Sequence, residues 1–176
     1  MFRRGVTAVF ACLVILVLIN LSIAGKERLV AEGRVVYLRL VPVDPRSLMQ
    51  GDYMALDYEV ARSALRALSD LAGKNNSEAV LPADDGRIVV RLDNRSVASF
   101  ARIEDQRPMA ENEQLMRYRV RNGRLKFATN AFFFQEGTGG QYQDARYGMF
   151  RVSPDGQLLL TGLCDESLQK LGSVYD

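Results

Sequence analysis

The sequence predicts a mainly β domain, an antiparallel partly closed barrel or sandwich with one or two short helices, preceded by a single N-terminal transmembrane helix. Three observations point there: an uncharged apolar run at residues 5 to 24, short alternating segments from residue 35 onward, and turn dipeptides between those segments. The 176 residues and 48% hydrophobic content suit one ordinary domain with a packed core. No internal repeat, low-complexity tract or second domain stands out.

The run GVTAVFACLVILVLINLSIA (5 to 24) holds no charge. At about 1.5 Å rise per residue it makes roughly 30 Å of helix, the thickness of one bilayer core. Arg3 and Arg4 precede it and no acid does, so the positive-inside rule keeps the N-terminus cytoplasmic and sends the rest across the membrane. Ser22-Ile23-Ala24 before Gly25 also fits a small-x-small cleavage pattern. The run exceeds the roughly 7 to 15 apolar residues of a signal peptide, which favours an uncleaved anchor. The expectation is thus residues 1–25 as the cytoplasmic end and anchor, and 26–176 as a β-rich domain facing the outside or periplasm. That domain carries 21 basic and 21 acidic side chains, and so neutral a balance draws it neither to nucleic acid nor to anionic lipid. Cys12 lies in the anchor, so Cys164 has no partner for a disulfide within the domain; it reads as a small buried apolar residue, or else as a bridge to another chain.

After a charged link, KERLVAEG (26 to 33), VVYLRLVPV (35 to 43) alternates as a strand with one wet face. Pro45 and Gly51 break the following segment, and a second strand at 53 to 60 would close a first hairpin. VARSALRALSDLA (60 to 72) changes to helical spacing, with Val60, Ala64, Leu68 and Leu71 on one stripe, and Gly73 ends it. Short strands follow, divided by Asp84-Asp85-Gly86, Asp93-Asn94, Asn122-Gly123 and Asp155-Gly156. Asn-Gly and Asp-Gly tolerate positive φ, which predicts hairpins at 114 to 129 and 147 to 163. Residues 104 to 113 read as a polar surface loop, and 132 to 144 pass from an apolar strand into a glycine loop. The C-terminal DESLQKLGSVYD could form a helical turn or two.

The absence of histidine removes Ser-His-Asp and Cys-His sites and histidine-ligated zinc, and one exported cysteine cannot build a thiolate cage. Asp84, Asp85, Glu104 and Asp105 lack calcium-loop spacing, and GTGG (137 to 140) lacks the lysine and hydroxyl residue of a phosphate loop. Asn75-Asn76-Ser77 and Asn94-Arg95-Ser96 match a glycosylation pattern too short to be specific. No catalytic residue, metal site or cofactor is expected.

The stretch QGDYMALDYEV (50 to 60) carries the sharpest signal. As a strand from Tyr53, it puts Met54, Leu56, Tyr58 and Val60 on a core face and Tyr53, Ala55, Asp57 and Glu59 on a surface. Gly51 and Asp52 suit a tight turn, the aspartate accepting backbone N–H groups. Gly51-Asp52-Tyr53-x-x-Leu56-x-Tyr58 resembles the signature of the bacterial GDYXXLXY family of membrane-anchored proteins. VPVDPRSLMQ, YGMFRVSPDG and QLLLTGL resemble it too, over nearly the whole chain. The resemblance implies a place in the cell envelope beside polytopic membrane proteins, and no reaction.

PRSLMQGDYMAL also resembles the nucleophile region of type I signal peptidases, with Ser47 at a threonine, Leu48 at a leucine and Val43 where the nucleophilic serine belongs. A histidine-free peptidase needs a lysine in apolar surroundings, and Lys126, in a strand, is the candidate partner for Ser47. The preferred expectation is a noncatalytic accessory module acting with integral membrane proteins. Its contact residues would be Tyr53, Asp57, Glu59, Tyr142, Arg146 and Tyr147, since Tyr and Arg anchor interfaces. The alternatives are a degenerate or unusual Ser/Lys peptidase and a small-ligand-sensing domain.

Overall fold

A computed structural model describes residues 2–41, 49–50, 53–71 and 84–172. Helix α1 (Phe2–Glu32) leads directly into strand β1 (Arg34–Arg39). Then come β2 (Met49–Gln50), β3 (Tyr53–Ala55), helix α2 (Glu59–Leu71), β4 (Asp84–Leu92), β5 (Ala98–Ile103), β6 (Glu113–Arg121), β7 (Arg124–Lys126) and β8 (Ala131–Phe133). A 3-10 turn (Gly139–Tyr142) and strands β9 (Tyr147–Val152) and β10 (Leu158–Cys164) complete the chain. The mainly β expectation holds: three antiparallel sheets, ordered β1-β9-β10, β2-β3-β8 and β5-β4-β6-β7, curl into a half-barrel, and α2 packs on β1, β5 and β7.

Of α1, the side chains are described from Cys12 onward. Among the described residues no helix is long and apolar enough to cross a membrane. Its described apolar residues from Leu13 to Ile23 are exposed, whereas Leu29 is buried where the helix meets the sheet of β9 and β10. Gly33 is the joint, because a Cβ there would collide with the Leu29 carbonyl oxygen, which accepts the Gly33 N–H at 3.0 Å.

The predicted hairpin between β1 and the 53–60 segment is absent among the described residues. From Arg34↔Val152 to Arg39↔Tyr147, β1 pairs instead with β9. Among the described residues the bridge Leu40↔Tyr58 and the bond from Val41 N–H to the Asp57 carbonyl (2.9 Å) join the two segments. β1 belongs in the interior of the fold, with Val36 and Leu38 wholly buried, and β9 supplies a long apolar partner that the short β3 does not. A second departure concerns Asp84-Asp85-Gly86, expected as a turn. These residues are the start of β4, with Gly86 opposite Tyr118 in β6. A Cβ on Gly86 would lie 2.6 Å from the Tyr118 hydroxyl, so the glycine makes room for that ring. The predicted AVLP strand lies outside the described residues.

The later hairpins form where expected. Asn122 (φ 53°) and Gly123 (φ 69°) turn β6 into β7, both in the left-handed conformation that a two-residue type I′ turn requires. Asp93 joins β4 to β5 by accepting the N–H groups of Arg95 (2.8 Å) and Val97 (2.9 Å) through its carboxylate. Residues 165–170 form no helix. The Asp165 carboxylate accepts N–H bonds from Ser167 and Gln169, both 2.9 Å, and folds the chain into a turn closed by the bridge Cys164↔Lys170. Cys164 is wholly buried, as a small apolar residue would be, and burial pushes its thiol pKa up, with Asp165 adding to the shift.

The β9–β10 turn also yields a pH dependence. The Ser153 hydroxyl, donating to Asp155, holds that carboxyl below the usual range against the opposing effect of desolvation; Gln157 Nε2 (3.2 Å) and Arg117 (2.7 Å) act in the same direction as Ser153. Since the folded pKa lies below the unfolded value of about 3.9, this stabilisation is present above about pH 4 and lost as the pH falls through the folded value. The group is half exposed, so Asp155→Asn should cost less than about 1 kcal/mol at neutral pH and less again near pH 2. Urea unfolding at the two pH values measures the difference.

Candidate functional site

Local burial shapes the motif corner. Met54, Leu56, Tyr58 and Val60 are all buried, while Ala55 and Glu59 are exposed and Tyr53 and Asp57 half-buried, the two faces the alternation predicts. The strand is shorter than expected, because after Ala55 the chain leaves the ladder to pass between two other segments. Leu56 N–H donates to the Asn130 carbonyl (2.8 Å), and the Asn130 side-chain amide returns a bond to the Leu56 carbonyl (3.2 Å). Tyr58 is wholly buried, edge-on to Phe150 (5.6 Å, 70°) and tilted against Phe127 (6.0 Å, 59°). Among the described residues its hydroxyl has no hydrogen-bond partner, and burial, with the Asp57 charge, raises its pKa far above the ordinary phenol value. Gly51 and Asp52 lie outside the described residues.

The expected contact residues separate into different environments. Tyr53 stands at the exposed side of the small sheet with its ring 5.8 Å from that of Phe133, which is 73% exposed. Asp57 is held in a two-pronged pair with Arg62 Nε (3.0 Å) and Nη2 (2.8 Å), and Glu59 occupies the first turn of α2, where a negative charge suits the helix dipole. Tyr142 packs with Phe132 (5.0 Å) and Phe134 (5.4 Å), part of the core margin rather than of an outer face. Arg146 is exposed and donates to the Ala145 carbonyl (3.0 Å).

Tyr147 is wholly buried, which removes its ring from any contact surface. Arg39 covers it, with the guanidinium 5.1 Å from the ring centroid and Nη2 donating to the phenol oxygen. Glu166 closes the cluster by accepting from Arg39 (3.0 Å) and from the Tyr147 hydroxyl (3.3 Å).

The outer face of the four-stranded sheet carries a feature that sequence reasoning missed. Cross-strand neighbours there include three like-charged pairs, Arg87↔Arg117 between β4 and β6 and Arg119↔Lys126 and Arg121↔Arg124 between β6 and β7, beside one pair of opposite charge, Asp85↔Arg119. Arg87 is paired to Glu104, Arg117 to Asp155 and Arg121 to Asp85, each at 2.7 Å. A cleft of about 650 Å³ opens over this face, lined by Lys26 of α1, Asp85, Arg119 and Lys126, with the buried Phe127 and Leu158 beneath it. Alternate arginines at 117, 119 and 121, followed by Arg124 and Lys126, were the available signal.

Ser47 lies outside the described residues. Lys126 is exposed beside Arg119, not in the apolar enclosure that a lysine base requires. Among the described residues no group of three or more His, Cys, Asp or Glu side chains is placed to hold a metal ion.

Fold and corner together define a class: a β-rich half-barrel domain behind a long N-terminal helix, with Tyr58 of the corner buried in its core. The chain belongs to the GDYXXLXY family, whose model, described as GDYXXLXY protein, matches residues 15–163. Neither the curated proteins nor the solved structures give a significant match.

Proposed function

We propose that this chain is a single-pass accessory protein of the bacterial inner membrane, with residues 1–25 as cytoplasmic end and anchor and a noncatalytic domain in the periplasm that docks on polytopic membrane partners. Supporting the anchor, the apolar run at 5 to 24 falls within α1, and its described large apolar side chains are exposed. One polar side chain of that stretch, Asn20, returns its amide to the Leu16 carbonyl at 2.8 Å, as a polar group in hydrocarbon must.

The observation that carries the docking role is the Tyr53–Phe133 pair. A phenylalanine left 73% exposed beside a tyrosine, on the outermost strand of the β2-β3-β8 sheet, offers an aromatic anchor together with a strand edge. Phe133→Asp in the full chain should reduce crosslinking to membrane partners at least about tenfold, the loss expected of an interface anchor. Since Phe133 is surface-exposed, stability should change by no more than about 0.5 kcal/mol. Crosslinking from membranes followed by mass spectrometry decides it; undiminished recovery of the same partners by Phe133→Asp would remove this surface from the account.

A further inference from the structure

We propose that the basic outer face of the β4-β6-β7 sheet binds the phosphate of an anionic phospholipid headgroup, so that the domain lies with this face against the membrane surface. The inference rests on the reading of residues 5 to 24 as a membrane anchor. Its starting point is an electrostatic cost. Like charges directly opposite in a sheet destabilise it, and here there are three such pairs, Arg87↔Arg117, Arg119↔Lys126 and Arg121↔Arg124.

Protein carboxylates relieve only part of that repulsion. Glu104, Asp155 and Asp85 each neutralise one arginine, namely Arg87, Arg117 and Arg121. Asp85, the acid lining the cleft, is thereby engaged. Arg119 stands opposite Asp85 in the β4–β6 register, but that carboxylate is bound to Arg121, and Lys26, Arg119 and Lys126 line the cleft with no ion pair among the described residues. Three cations converging on one concavity are matched to a group of concentrated negative charge, and a phosphate diester accepts from a guanidinium and two ammonium groups at once.

Position selects the lipid over a soluble anion. Lys26 follows the last residue of the apolar run, Ala24, by two positions, roughly 3 Å along the helix axis. If that run fills the hydrocarbon core, Lys26 stands at headgroup depth and the cleft it lines stands there too. The net charge of the domain conceals all this, since its 21 basic and 21 acidic groups cancel in number.

The test uses the full chain in uncharged maltoside micelles, with thermal unfolding followed as phosphatidylglycerol, phosphatidylcholine or inorganic phosphate is added. Phosphatidylglycerol at about a hundred times its Kd should raise Tm by roughly 5 to 10 °C; phosphatidylcholine and phosphate should leave it within about 1 °C. The double variant Arg119→Gln/Lys126→Gln should lose the phosphatidylglycerol shift while its lipid-free Tm stays level or rises, because a repulsive pair has gone. No shift with phosphatidylglycerol, an equal shift with either control, or a shift retained in the double variant overturns the proposal. Alkaline carbonate extraction of membranes reads the anchor separately: wild type and double variant should both stay in the pellet, and release of both would reject the anchor itself.

Discussion

Tyr58→Ala should destabilise the domain by about 3 to 5 kcal/mol, the range for removing a large aromatic ring from a close-packed interior. For a chain of this size that lowers Tm by roughly 6 to 20 °C. The ring is wholly buried among Phe127, Phe150 and the close-packed backbone of Gly148, where a Cβ would already stand 3.1 Å from the Tyr58 ring. It also pins the bridge to Leu40 that ties the motif to the end of β1, and its carbonyl accepts the Arg62 N–H (3.2 Å) at the start of α2. Removing it opens a cavity at the meeting point of three elements, none of which can collapse without moving the others. Tyr58→Phe is the companion measurement. The hydroxyl is buried without a partner among the described residues, so its loss relieves a desolvation penalty, and the variant should be as stable as the wild type or more so. Urea unfolding distinguishes the two. A cost above about 1.5 kcal/mol for Tyr58→Phe would mean that the hydroxyl holds a charge-strength hydrogen bond.

That pairing of outcomes bears on how far the sequence could be read. The alternation of Met54, Leu56, Tyr58 and Val60 was legible because side-chain parity is a local property of an extended chain, even one that leaves its ladder after Ala55. Asn122-Gly123 and Asp155-Gly156 were legible for a similar reason, since each hairpin is closed by its own residues. The partner of β1 was not. Val36 and Leu38 say that the strand is buried, but nothing in their vicinity names Phe150 and Gly148 as the residues opposite. Asp84-Asp85-Gly86 misled because its composition is that of a turn, whereas Gly86 is there to admit the ring of Tyr118 from the neighbouring strand. Tyr147 misled in a comparable way: Arg39 and Glu166, both distant in sequence, bury a side chain that looks exposed.

The basic face failed for a different reason. Equal totals of acids and bases describe only the overall balance, whereas cations at alternate positions of β6 fall on one side of a sheet. Counting charge by strand face rather than by domain would have found it. The structure places the candidate contact residues in different surroundings. Tyr53 and Arg146 lie where an outside partner can reach, while the rings of Tyr142 and Tyr147 serve packing.

Gly156→Val should cost about 2 to 4 kcal/mol, combining a backbone penalty with a steric one. Gly156 sits at φ 85°, the left-handed region, where a β-branched residue loses roughly 1 to 2 kcal/mol. Any Cβ there would also stand 3.2 Å from the Arg117 nitrogen and from the Leu115 carbonyl carbon and oxygen. Those atoms belong to the backbone of β6 and cannot swing aside as a side-chain tip would. The turn is therefore pressed against the middle of the other sheet, and its carbonyl accepts the Arg117 N–H at 2.8 Å. Forcing it away breaks that bond and loosens the Arg117–Asp155 pair beside it. Gly156→Ala separates the contributions, since it carries the strain and the Cβ contact without the branch and should lose about 1 to 2 kcal/mol. If both variants unfold at the wild-type urea midpoint, the contact between the β9–β10 turn and β6 does not hold the two sheets together.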